Sequence, residues 1–185
     1  MLEFDKKLCE KVAKLPVEEL RALEREFVFA RFDFEVAFDL GCRVRQWARE
    51  LFPADALVVD VSLPSGQCVF HATSNAGTAL DNDMWVARKR RTAVRFGCSS
   101  FVMGRKLADK QRQQRPSLTM QEAYFVDPAE YAFHGGALPL RVDAVDAPVA
   151  VLTVSGLAQA TDHAFALACA REFASRLAQR ELDLD

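Results

Sequence analysis

The sequence predicts an α+β domain in which helices pack over an antiparallel sheet, and three observations carry that prediction. Two pairs of β-branched runs are each joined by turn residues. Amphipathic stretches with apolar residues at three- and four-residue steps stand around them. The resulting order of helices, hairpin, helices, hairpin, helix lacks the β-α-β alternation of a parallel sheet. A length of 185 residues, 50% hydrophobic and 27% charged, suits one compact domain with a real core and excludes disordered, collagenous and coiled-coil classes.

Taken in order, residues 16–29 predict a first helix, with Glu18 and Glu19 in its opening turn where carboxylates favour exposed N–H groups. Asp33 is a plausible N-cap for a second. Behind it Ala37, Leu40, Gly41, Val44, Trp47, Ala48 and Leu51 trace one apolar stripe that stops before Pro53. Residues 56–63 and 67–73 read as strands joined through Pro64-Ser65-Gly66. Asp81-Asn82-Asp83 then offers caps for a helix running to Phe96 and closed by Gly97.

Ser99 or Ser100 caps a short helix bearing Phe101, Val102 and Leu107, after which residues 111–117 read as a flexible polar stretch. Residues 120–133 hold several aromatics without a clear period. A second strand pair, 137–142 and 149–155, flanks a turn, and Asp162 is read as the cap of a last helix using Phe165, Ala168, Phe173 and Leu177.

Charge adds a partial constraint. The whole chain carries −2, too little to imply nucleic acid or membrane as a partner. Between Met84 and Arg115, however, ten basic residues face only Asp109, leaving that segment at +9 and the remainder at −11. Arg88, Lys89, Arg90 and Arg91 surround a helix rather than form one flat face; Arg88, Arg91 and Arg95 alone align. That stripe can grip carboxylates or phosphates, or pair with acidic surfaces of neighbouring subunits.

No apolar run reaches membrane-spanning length and the first residues lack a signal-peptide core, so the expected location is the cytoplasm. Cys9, Cys42, Cys68, Cys98 and Cys169 form no CxxC pair and read as reduced packing thiols.

Candidate chemistry gathers at the three histidines, each beside turn residues. His71 lies in the second strand, His134 precedes Gly135-Gly136, and His163 follows Asp162. They can serve a metal or haem iron if they converge, or act structurally if they do not. Asp60 shares a strand face with Val58 and Ser62 and meets His71 across the hairpin if the register permits. Cys68 and His71, three apart, fall on opposite faces of a regular strand. Ser155-Gly156-Leu157 before Asp162 reads either as an anion cradle at a helix start or as simple capping.

Read together, several spaced motifs resemble one family. They are His71, Ser74, Gly77-Thr78, Asp81-Asn82, Trp85, Arg88-Lys89, Phe96, Ser99-Ser100 and Gly104, continued by His134-Gly135-Gly136, Leu138-Pro139, Val154-Ser155-Gly156-Leu157 and Asp162-His163. The set is similar to the GlcG/HbpS-like haem-degrading family, in an uncharacterised branch with a fungal cytosolic member, from about Asp33 to Leu177.

The resemblance implies a profilin-like α/β/α fold, an antiparallel sheet flanked by helices, and an assembly of identical subunits. It divides the chain into an N-terminal helical extension, residues 1–32, offered as an assembly contact, and a haem-degrading-like domain, residues 33–185. The expected function is binding of haem or another small anionic ligand near His71, Arg88, His134, Gly135, Gly136, Ser155, Asp162 and His163. Two alternatives stand beside it: a non-catalytic scaffold or chaperone-pathway adaptor, and a metal-assisted enzyme.

Overall fold

A computed structural model describes residues 2–182. Two short helices open it, α1 (Lys6–Lys14) and α2 (Val17–Glu24), followed by the long α3 (Phe34–Leu51). Asp33 caps α3 by accepting the Val36 N–H at 2.8 Å, as its position predicts. The helix expected over 16–29 is α2, which stops at Glu24, and α1 stands before it where none was expected. Asp5, accepting from Leu8, starts α1, and Pro16 separates the two because it cannot continue a helix.

Strands β1 (Val58–Ser62) and β2 (Cys68–Thr73) form the first predicted hairpin, and β3 (Ala137–Leu140) with β4 (Ala150–Ser155) the second. The hairpins join through antiparallel pairing of β1 with β4, giving the order β2-β1-β4-β3. All three pairings are antiparallel.

Between the hairpins run α4 (Leu80–Phe96), α5 (Ser100–Gln113) and a single-turn α6 (Met120–Tyr124), and α7 (Gln159–Leu182) ends the chain. Ser99 caps α5 through the Val102 N–H. That helix continues into the stretch expected to be flexible. The short α6 escapes a period-based reading because it is one turn long; Thr119 and Glu122 cap it reciprocally.

The sheet has two unlike faces. Val59, Val61, Leu138, Leu140, Leu152 and Val154 point into the main core beneath α3 and α7. Leu2, Val12, Leu20 and Phe29 join that same core, so the residues before Asp33 pack into the body of the domain. The other face, beneath α4, buries polar groups beside a small apolar cluster of Ala93, Ala137 and Val151: Asp60, Ser62, Thr153 and Ser155 all lie there with at most 5% exposure. Helix α4 answers with Lys89 and Thr92, also buried.

Gly41 marks where α3 presses on β2, since a Cβ there would stand 2.2 Å from the Phe70 ring. Gly41→Ala is expected to cost about 1–3 kcal/mol, the usual range for overpacking. A lower urea midpoint at unchanged slope measures it.

Candidate functional site

The starts of α4 and α7 meet the end of β4 at a cleft of about 270 Å³ lined by Asp81, Asn82, Trp85, Lys89, His134, Ser155, Gly156, Leu157, Gln159 and Asp162. Helix starts carry partial positive charge, so two such ends favour negative groups here. At the α4 end, the Asn82 side chain accepts the Ala79 N–H at 2.8 Å and Asp81 accepts from the Trp85 indole at 3.1 Å. The N-cap is Ala79 rather than a member of the acidic cluster.

Beneath the cleft Lys89 is buried and donates to Asp162 at 2.9 Å, Ser155 Oγ at 3.1 Å and the Val154 carbonyl at 3.2 Å. Asp162 in turn accepts the Leu157 N–H at 3.0 Å and the Gly156 N–H at 3.4 Å. Burial pushes the Asp162 carboxyl above the usual carboxylate range, while the Lys89 charge and these amides pull it back.

Two sequence expectations are settled by these contacts. Asp162 is not the N-cap of α7, which begins three residues earlier; it reaches back from the first turn instead. The anion cradle of Ser155-Gly156-Leu157 exists, and the chain's own Asp162 carboxylate fills it.

His134 borders the cleft with its ring edge-on to Trp85, centroids 4.9 Å apart. Partial burial lowers its pKa below the ordinary imidazole value, with Lys89 and Arg88 adding to the effect. It is therefore neutral at pH 7, with a nitrogen lone pair free to accept a proton or ligate a metal. Behind it, Gly135 and Gly136 let the chain lie against α7 and β4. A Cβ on either would stand 2.1 Å from a carbonyl oxygen, of Gln159 and Val154 respectively.

The remaining candidate residues His71, Arg88 and His163 do not line this cleft. His71 Nδ1 lies 3.0 Å from Asp60 and Nε2 lies 3.1 Å from Asp83, and the β1–β2 register pairs Asp60 with His71 directly. His163 is wholly buried, stacked on Phe101 at 4.8 Å. Its Nε2 stands 3.3 Å from Glu24 Oε1 without hydrogen-bond alignment. Arg88 covers the Trp85 ring at 4.0 Å and donates to the Pro128 carbonyl; Arg91 pairs with Glu130, and Arg95 lies over Phe96 and Tyr131. The aligned arginines thus grip their own chain's 128–131 segment.

A further sequence expectation is overturned. Cys68 and His71 share a face, because a bulge pairs Ser62 with Cys68 and Val61 with Phe70, leaving Val69 as the extra residue. Cys68 Sγ accordingly lies 3.6 Å from Asp60 Oδ2. Sequence reasoning also missed Lys89 as the cleft's buried cation. A signal was present: Lys89 stands in register with Val86 and Ala93 on the inward stripe of α4.

A sequence profile of the family described as "Haem degrading protein HbpS-like" matches residues 32–171. The chain belongs to this HbpS-like family. The UPF0303 protein YBR137W of Saccharomyces cerevisiae is 43% identical over 187 residues, covering 100% of both chains. UPF0303 protein SCO2848 of Streptomyces coelicolor is 40% identical over 147 residues, 80% of this chain and 86% of that protein.

The crystal structure of Ybr137w protein superimposes with a TM-score of 0.88 over 95% of this chain and 99% of that one. That of a PduOC:Heme complex matches with a TM-score of 0.58 at 16% identity, over 75% and 92% of the two chains. The latter likeness bears on the fold alone. In this HbpS-like member the motif positions Trp85, Lys89, His134, Ser155 and Asp162 all border one cleft.

Removing one partner of a buried ion pair strands the other charge, so Lys89→Met is expected to cost about 3–5 kcal/mol. Denaturant unfolding measures the loss. A second expectation concerns pH. Because the folded pKa of His134 lies below that of the unfolded chain, about 6.5, the unfolded state binds the proton first as pH falls. Below about pH 6.5 the wild type should lose stability relative to His134→Gln, read as diverging thermal midpoints.

Proposed function

We propose that this HbpS-like chain is a binding protein whose cleft receives one anionic group of a small ligand, with haem the ligand that family membership favours. The observation that carries the reading is His134, neutral at pH 7, set beside Trp85 where the N-terminal ends of α4 and α7 converge. A neutral imidazole would suit a ligand of haem iron, and the start of α4, which Asp162 does not occupy, would favour a carboxylate such as a propionate.

Size limits what one chain contributes. A cleft of about 270 Å³ lies below the roughly 300–1,000 Å³ of pockets that enclose a whole ligand, so one chain would not enclose a porphyrin. The rest of its surface needs cover from a second copy. Phe34 and Phe38, one turn apart on α3 and more than half exposed, offer apolar surface for homo-oligomerisation. The N-terminal segment before Asp33 is the other surface proposed for assembly.

When bound, haem supplies iron-centred redox chemistry. The chain's own residues would do the holding: His134 would offer a nitrogen lone pair and Trp85 a side of the cleft, while Lys89 fixes the floor through Asp162 and Ser155.

Haem titration followed by absorption and light scattering tests this. The wild type should give a saturable Soret shift on an oligomer, weakened at least tenfold in His134→Ala and retained in His71→Ala. The absence of a shift would favour the scaffold reading, and a shift unaltered in His134→Ala would refute the role of that residue.

A further inference from the structure

The β1–β2 hairpin, away from the cleft, gathers a second set of groups. One ligand atom each from Asp60, Cys68 and His71 lie within 4.8 Å of one another, with His71 Nδ1 3.0 Å and Cys68 Sγ 3.6 Å from Asp60 Oδ2. Tetrahedral donors at zinc distances of about 2.0–2.3 Å stand about 3.4 Å apart, so small side-chain adjustments suffice for all three to reach one ion. Neither neighbours in sequence nor a regular strand would place them so; the bulge at Val69 turns Cys68 to the side of His71.

We propose that Asp60, Cys68 and His71 form a binding site for a thiophilic divalent cation of the zinc class. The donors around the three support this. Asp60 is 1% exposed, and its two oxygens are divided in role. Oδ1 accepts from Ser62 Oγ at 2.8 Å and faces Arg90 at 3.5 Å, whereas Oδ2 is turned toward Cys68 and His71. Arg90 also donates to Ser62 at 2.9 Å, which locks the carboxylate's orientation.

The outer nitrogen of His71 is held as well. Nε2 meets Asp83 on α4 at 3.1 Å, the carboxylate–imidazole–metal arrangement that fixes a ligating histidine's tautomer and raises its basicity. Nδ1 lies 3.0 Å from Asp60 Oδ2 without the ion, and with Nε2–H still donated to Asp83 an incoming cation takes the Nδ1 lone pair in place of a proton there. Cys68 is exposed and gives up its thiol proton to solvent on binding, so uptake of the ion is accompanied by proton release. The ion's two positive charges then balance the thiolate and the Asp60 carboxylate.

Three protein donors with Cys68 and His71 at the surface leave the fourth tetrahedral position to water. That is the pattern of a site that binds or activates a ligand; a closed structural centre would supply four side chains. The inference is independent of the cleft, since none of its three ligands lines it.

Cobalt(II) titration of the full chain, stripped with chelator beforehand, tests the site directly. The expected result is one equivalent bound, a thiolate-to-cobalt charge-transfer absorption, and displacement of the cobalt by zinc. Cys68→Ser should abolish that absorption, His71→Ala should weaken binding at least tenfold, and Asp83→Asn should weaken it about 10–100-fold. Cys42→Ser, an exposed thiol elsewhere, should leave the signal unchanged. Absence of charge transfer at saturating cobalt, or its survival in Cys68→Ser, would overturn the proposal. Because Cys68 and His71 are exposed, circular dichroism of both variants should match the wild type, which separates lost binding from lost folding.

Discussion

The buried ion pair of Lys89 with Asp162 is the contact around which the polar half of this domain is arranged. A lysine inside a protein is costly unless every proton of its ammonium group finds an acceptor. Here Val154, Ser155 and Asp162 supply three. The pair therefore fixes where α4 sits on β4 and where α7 begins. Because Asp162 also takes the amides of Gly156 and Leu157, the same carboxylate shapes the turn between β4 and α7. The cleft is the space left above that arrangement.

The unlike faces of the sheet explain why chemistry collects on one side. Beneath α3 and α7 the strands offer only apolar side chains, which pack by area and leave nothing to react. Beneath α4 they offer carboxylate and hydroxyl groups, each needing a partner once buried. Asp60 finds Ser62, His71 and the charge of Arg90; Ser155 finds Lys89. Only Thr153 Oγ1 among the buried hydroxyls of this face lacks one within the described residues.

The three histidines show how position within this arrangement sets behaviour. His163, stacked on Phe101 in the interior, is inaccessible to an external ligand within one chain. His134 faces the cleft and is held neutral by partial burial and nearby cations. His71 stands between two carboxylates at the sheet edge. The same residue type thus occupies three environments.

Local chemistry was legible in the sequence alone. Both hairpins, the cap at Asp33, a cap at Ser99 or Ser100, the apolar stripe of α3 and the face shared by Asp60 and Ser62 follow from spacing and side-chain chemistry over a few residues. The spaced motifs also carried the family resemblance. What the sequence could not determine are contacts between distant residues: β1 against β4, and Lys89 against an aspartate 73 positions later. The bulge that brings Cys68 beside His71 likewise depends on strand register, which periodicity assumes and does not determine. Only tertiary packing selects among such pairings, because each gains its energy from groups that approach one another once the whole chain has folded.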